Sequence, residues 1–357
     1  MERMNLLHRP QIKLLKNFTR SDLEGAALPT LGVFVGLVLA QISYFGPFAG
    51  FMVMVMQCLM SVRAKGSYRE RLQMLAYVLL ILIGTTAWGI FSSFHTINVV
   101  FGVLLLSVAL TYWRHFFPED WRSINAPASA LYFVTLATKA DEKALLAVLF
   151  SGILGIGLQA FLWFVYPQAF DKKSPVMRLK SRRARKRPRA NPVDLTLISS
   201  VKPDLWRYTF RLMFLLILSV WIVNYTHSLH AYWIPLTVVI VLQDNHLDTL
   251  KRVGGRVLGT FIGSIIGSFL LALHPDPLLG MPLLILCMFT FLLIVKHNYP
   301  IACIFLTIYI ILLIGRQSTN TFQVGVERTL FTLAGGLLVF LSSYVLFWQR
   351  KKQQSAS

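Results

Sequence analysis

Arginine and hydroxyl residues recur at four-residue intervals in a largely apolar stretch of the chain. Arg252 and Arg256 are followed by Thr260, and residues four apart lie on one face of a helix. A guanidinium group binds a carboxylate through parallel hydrogen bonds, and the start of a helix adds a favourable dipole. The spacing therefore predicts an organic-anion site, with ordinary arginines at a membrane boundary as the alternative.

The segment just before these arginines supplies further candidates for contact with a substrate. They are Trp233, Thr237, Gln243 and Asp244. Trp233 could stack on an aromatic substrate or belong to the aromatic belt of a membrane interface. Gln243 and Asp244 end the segment, where they could form a cytoplasmic gate. Asp244 or Asp248 could instead be the structural partner of Arg256.

Charged residues at the starts of two other apolar segments are candidates for proton coupling or gating. Glu327 and Arg328 lie near the start of the last segment, and Glu24 lies at the start of the first. Charges inside a membrane are costly and usually functional. The alternative for Glu327 and Arg328 is a surface pair that contributes little to stability.

Glycines recur at every fourth residue of the arginine-containing stretch, at Gly255, Gly259, Gly263 and Gly267. On a helix they form a groove that lets a second helix approach closely in lipid. Thr260, Ser264 and Ser268 run beside the groove, where they either join helices by hydrogen bonds or line a pathway. The four glycines are therefore predicted to be helix-packing residues.

The composition predicts an integral membrane protein. Of 357 residues, 55% are hydrophobic and 14% are charged, whereas soluble domains carry about a quarter charged residues. The net charge of +20 is attributed to basic loops on one side of a membrane rather than to nucleic-acid binding. The sequence contains no recognisable metal-binding, cofactor or nucleophile motif, so no metal, cofactor or enzymatic activity is predicted.

About 12 apolar segments are long enough to propose as transmembrane helices. Together they predict an all-α membrane protein built from two parallel six-helix repeats. The pairs Glu142-Lys143 and Glu327-Arg328 begin corresponding segments of the two halves. The predicted domains are a basic amphipathic segment (1–23), a first repeat (24–168), a basic linker (169–205), a second repeat (206–349) and a tail (350–357).

Most lysines and arginines fall in alternate loops, including the run from Lys172 to Arg189. Because such loops remain in the cytoplasm, both termini and the linker are predicted to be cytoplasmic in a multi-pass inner-membrane protein. The basic segments are expected to contact anionic membrane lipids.

The second half resembles the fusaric acid resistance protein-like family of bacterial inner-membrane proteins, which is close to the aromatic acid exporters. The residues that carry the resemblance are Trp233, Thr237, Gln243, Arg256, Gly259, Thr260 and Gly263, and later Arg328, Thr332 and Gly335. The resemblance covers about 206–345 and is faint in the first half. Longer family members also have large cytoplasmic domains, which are not expected from the sequence of this chain.

The resemblance implies export of small organic acids, often aromatic, coupled to the proton gradient, and for some relatives a periplasmic adaptor. Nothing in the spacing of residues distinguishes this from a passive organic-anion channel, a non-transporting scaffold or assembly protein, or a membrane enzyme acting on lipid. A homo-oligomer also remains open, since glycine grooves pack helices within one chain as readily as between chains.

Overall fold

The computed structural model describes residues 18–63, 67–116, 124–165, 203–226, 228–273, 277–315 and 321–354. These residues form twelve α-helices and one 3₁₀ turn, Gly46–Phe48. The first-half helices are α1 (Arg20–Ile42), α2 (Ala49–Ser61), α3 (Tyr68–Ser93), α4 (Thr96–Phe116), α5 (Asn125–Thr138) and α6 (Glu142–Val165). The second-half helices are α7 (Pro203–Thr226), α8 (Trp233–Val241), α9 (His246–Ala272), α10 (Pro277–Ile294), α11 (Tyr299–Gly315) and α12 (Thr321–Gln354).

Local sequence explains where several of these helices begin. Thr19 caps α1 and Ser67 caps α3, and in each case an acidic residue three positions later, Asp22 or Glu70, completes the capping box. Asn245 caps α9 through its side chain. Such caps satisfy amide groups that have no partner within the helix.

Each predicted apolar segment coincides with a helix, but the helices differ in their ability to cross a membrane. Seven are long and apolar enough by length and composition. The α8 helix has nine residues and rises only about 14 Å, less than half of a hydrocarbon core of roughly 30 Å. The described residues thus form an all-helical protein with seven candidate spans, and twelve crossings remain a prediction.

The helices of each half pack mainly on one another. In the first half α3 contacts α5 and α6, and in the second half α9 contacts α11 and α12. The halves meet where α1 contacts α10 and where α4 contacts α7. These two contacts are equivalent in the predicted repeat, in which α1 corresponds to α7 and α4 corresponds to α10. The α5 and α8 helices also touch.

Several predictions concern residues outside the described ranges. They include most of the basic N-terminal segment, nearly all of the linker 169–205 and the end of the tail 350–357.

Candidate anion-binding site

The glycine groove of α9 holds α11 at backbone contact distance. A Cβ atom added at Gly259 would lie 2.6 Å from the Pro300 carbonyl oxygen, and one at Gly263 would lie 2.6 Å from the Ile304 carbonyl oxygen. Gly255 faces Pro300 and Gly267 faces Ile311 in the same way. These close approaches place the polar residues of α9 directly beside those of α11.

Arg256 is enclosed in this packing. Its side chain is 2% exposed, and its Nη1 donates to the Cys303 sulfur of α11 at 3.8 Å. Its Nε has no hydrogen-bond partner among the described residues. Loss of hydration without a compensating partner is costly for a cation, particularly inside a membrane. Arg256 is therefore a buried charge that the described residues do not neutralise.

Arg328 of α12 is a second buried arginine close to the first. It is 1% exposed, which rules out the surface-pair alternative for this residue. Its guanidinium carbon lies 4.5 Å from the centre of the Trp233 ring, a cation–π contact. Its Nε and Nη2 have no partner among the described residues. The helix that carries Arg328, α12, packs against α9, the helix that carries Arg256.

Hydroxyl groups follow the two arginines one turn further along each helix. Four buried serine and threonine hydroxyls have no hydrogen-bond partner among the described residues: Thr260, Ser264, Thr307 and Thr332. The first two belong to α9, the third to α11 and the fourth to α12. Three helices that pack together thus present free donors beside two cations, a combination suited to an oxyanion.

A histidine just before α8 and a carboxylate of α12 contact each other next to this site. His230 Nδ1 lies 2.6 Å from a carboxylate oxygen of Glu327, and Gln323 donates to the other oxygen at 2.9 Å. The His230 ring also stacks on Trp233, with centroids 4.9 Å apart. Since Trp233 contacts Arg328 as well, a continuous set of contacts joins Glu327 to the buried arginines.

The other end of α8 is fastened to the first half of the chain. Arg114 of α4 donates to the Leu242 carbonyl oxygen at 3.2 Å and to Gln243 Oε1 at 2.8 Å. It also lies 3.3 Å from a carboxylate oxygen of Asp244. The expectation that Asp244 pairs with Arg256 is therefore wrong, because Asp244 projects beyond the end of α8 toward α4.

The remaining predicted residues fall into two groups. Thr237 is buried on α8 and faces Gly335. A Cβ atom added at Gly335 would lie 2.9 Å from the Cβ atom of Thr237. Arg252 is exposed, with its guanidinium carbon 5.4 Å from the centre of the Tyr299 ring. Glu24 forms an ion pair with Arg20 at 2.9 Å on the same helix. The structure brings Thr237 close to the α8–α12 contact and gives Arg252 and Glu24 surface partners.

Sequence reasoning missed three contributors: His230, Cys303 and Thr307. Cys303 precedes Thr307 by four positions, as Arg256 precedes Thr260. That shared spacing on apolar helices could have revealed it. The His230–Glu327 contact links residues 97 positions apart, and no local pattern predicts such a pair.

Comparison with known proteins confirms the family resemblance for the part of the chain that forms the site. The model of the family described as fusaric acid resistance protein-like matches residues 217–342. That range includes both buried arginines and the hydroxyls beside them. No solved structure matches the chain.

Three curated relatives show the extent of the similarity. An uncharacterized protein of Haemophilus influenzae is 32% identical over 40% of this chain and 20% of its own length. The inner membrane protein YccS of Escherichia coli is 29% identical over the same two shares, 40% and 20%. An uncharacterized protein, ORF2, of Neisseria gonorrhoeae is 24% identical over 40% of this chain and 34% of its own length. The chain thus matches a fifth to a third of the length of these relatives.

Proposed function

We propose that this chain, whose residues 217–342 match the fusaric acid resistance protein-like family, is an inner-membrane transporter that exports small organic acids. Arg256 and Arg328 form its anion-binding site. The carrying observation is that both guanidinium groups are buried and retain nitrogens without a partner among the described residues.

The energetic argument for a ligand rests on the cost of these charges. A buried cation without a partner destabilises a protein by several kcal/mol at order of magnitude. Two such cations side by side also repel each other. An anion that binds between them relieves both costs, and unpartnered intramembrane arginines commonly mark an ion or substrate pathway.

Transport would require the site to open, because both guanidinium groups are enclosed. The α8 helix is the best candidate for the moving part. It is short, it carries Trp233 against Arg328, and its ends contact Glu327 on one side and Arg114 on the other. In this proposal, separation of α8 from α12 exposes the arginines to one side of the membrane.

The proton gradient would drive export through Glu327. This carboxylate directly precedes Arg328 and contacts His230, which stacks on Trp233. Protonation of Glu327 removes its ion pair with a charged His230 and so loosens the contact between α8 and α12. The coupling is thereby assigned to Glu327 rather than to Glu24, whose described partner is Arg20.

The test measures transport of labelled organic acids in proteoliposomes, with and without an imposed pH gradient. Arg256→Gln is expected to reduce the initial rate by at least about 100-fold, because loss of charge-assisted hydrogen bonds at a buried site costs ~3 kcal/mol. Arg69→Gln, the same substitution at an exposed position of α3, serves as the matched control.

Three outcomes would change the proposal. A normal rate for Arg256→Gln in folded protein would remove the arginine from the site. Flux that follows only the gradient of the acid itself would indicate a channel. Correctly folded wild-type protein without any flux would favour the scaffold, and loss of partner binding on deletion of 172–189 would then identify the basic linker as its recruiting segment.

A further inference from the structure

We infer that the site selects small anions carrying two negative charges, such as aliphatic dicarboxylates or divalent oxyanions, over aromatic monocarboxylates. The inference rests on the proposed function and specifies its substrate class. It is based on two observations. Neither Arg256 nor Arg328 has an ion-pair partner among the described residues, and the neighbouring aromatic rings Trp233, Tyr232 and Tyr299 already contact other side chains.

The charge balance follows from the neighbouring carboxylates. Three acidic side chains are described in the second half: Asp244, Asp248 and Glu327. Asp244 contacts Arg114, Glu327 contacts His230, and Asp248 is exposed in the first turn of α9. None forms an ion pair with either buried arginine within the described residues. The two buried arginines thus carry two positive charges that no described ion pair offsets, and a ligand with two negative charges balances both.

The polar surroundings also favour a ligand rich in oxygen atoms. The free nitrogens of both arginines are donors only, and the free hydroxyls of Thr260, Ser264, Thr307 and Thr332 can all donate as well. The single carboxylate of a monocarboxylate offers two charged oxygen atoms and cannot engage this whole set. A dicarboxylate or a tetrahedral divalent oxyanion presents four, and each arginine can bind a separate pair.

The aromatic rings next to the site already contact other side chains. Trp233 has His230 stacked on it with an interplanar angle of 7° and Arg328 at 4.5 Å from its ring centre. Tyr232 meets the edge or face of Trp233 with centroids 5.5 Å apart. Tyr299 carries Arg252. Stacking of an aromatic acid on Trp233, which the sequence alone left open, would first have to displace one of these contacts.

Direct binding to the purified full-length chain tests the inference without any substitution. Equilibrium dialysis with labelled anions compares two pairs that separate charge from aromaticity: succinate with its monomethyl ester, and phthalate with benzoate. All four are measured at one pH, at which succinate and phthalate carry two charges, and at constant ionic strength. Sulfate is added as a compact dianion.

The expected result is that succinate binds at least about tenfold more tightly than its monomethyl ester. Phthalate should exceed benzoate by a similar factor, and benzoate should have no advantage over the ester. Sulfate binding tighter than succinate would favour a compact oxyanion, and the reverse would favour a dicarboxylate, both within the inferred class.

Other results overturn the inference or the function beneath it. Benzoate binding as tightly as phthalate, and more tightly than succinate, would show selection by the ring and refute a dianion site while leaving anion transport intact. Failure of folded protein to bind any of the five anions would refute the proposed function itself.

Substitutions of Arg328 then test whether this residue supplies the second positive charge of the binding site. Arg328→Gln should abolish the preference for succinate over its monomethyl ester, because one cation no longer requires a dianion. Arg328→Lys keeps the charge and should retain the preference, with weaker binding because the forked donor is lost. Arg69→Gln should leave the preference unchanged, and an unchanged preference in Arg328→Gln as well would exclude Arg328 from the site.

Discussion

The two halves of the molecule differ in the hydrogen bonding of their buried serine and threonine hydroxyls. In the first half, every buried serine and threonine hydroxyl that the structure describes has a hydrogen-bond partner, usually the carbonyl four residues earlier, as in Thr86 and Thr135. In the second half, four buried serine and threonine hydroxyls have no partner among the described residues. The described buried serines and threonines of the first half are thus all hydrogen-bonded, whereas four of those in the second half are not.

The charged residues show the same contrast. The predicted repeat pairs Lys143 with Arg328, but Lys143 is exposed and lies over the Tyr44 ring, 5.9 Å from its centre. The same repeat pairs Arg71 with Arg256, but Arg71 is only partly buried in the first turn of α3, with its guanidinium carbon 5.6 Å from the centre of the Trp163 ring. We infer that one half is a packing scaffold and that the other carries the chemistry.

The largest expected effect comes from removing a buried charge. Arg328→Met should abolish transport and yet raise the stability of the protein by about 1 to 4 kcal/mol, since an apolar side chain avoids the desolvation cost. Thermal unfolding in detergent and proteoliposome flux measure the two effects. Lys143→Met is the first-half control and should change neither quantity substantially. A destabilised Arg328→Met protein would mean that the arginine has a structural role.

Glycine substitutions should destabilise the protein more in the close contact of α9 with α11 than at an open position of the first half. Gly259→Val places a branched side chain against the Pro300 carbonyl of α11 and should destabilise the protein by about 1 to 3 kcal/mol through overpacking. Gly84→Val, in α3, meets no atom within 4 Å of its added Cβ and should be tolerated. Thermal unfolding of both variants provides the comparison, and equal losses would refute the close α9–α11 packing.

The smallest effect on stability is expected at the carboxylates that the predicted repeat pairs. Glu327→Gln breaks the contact with His230 and should remove accumulation driven by a pH gradient, while flux down the gradient of the substrate persists. Glu142→Gln, at an exposed position of α6, should keep both activities. Gradient-driven accumulation that survives in Glu327→Gln would exclude this residue as the coupling group.

Much of the framework could be predicted from sequence because its causes are local. Apolar runs predicted the positions of the helices. The four-residue spacing of Gly259 and Gly263 predicted a groove, and the structure places α11 in it. The position of Arg256 one turn inside the helix indicated a costly charge. Each of these properties depends on residues within a few positions of one another.

The partners of the polar side chains could not be predicted in this way. Only tertiary structure decided that Asp244 contacts Arg114 rather than Arg256, that Arg328 is buried against Trp233, and that His230 reaches Glu327. These contacts join residues that are far apart in the chain, and the hydropathy pattern does not indicate which helices become neighbours. The sequence by itself thus determined a helical membrane protein with cations in an apolar helix. The packing of α8, α9, α11 and α12 decided that Arg256 and Arg328 are both enclosed, because side chains far apart in the chain meet only when their helices pack.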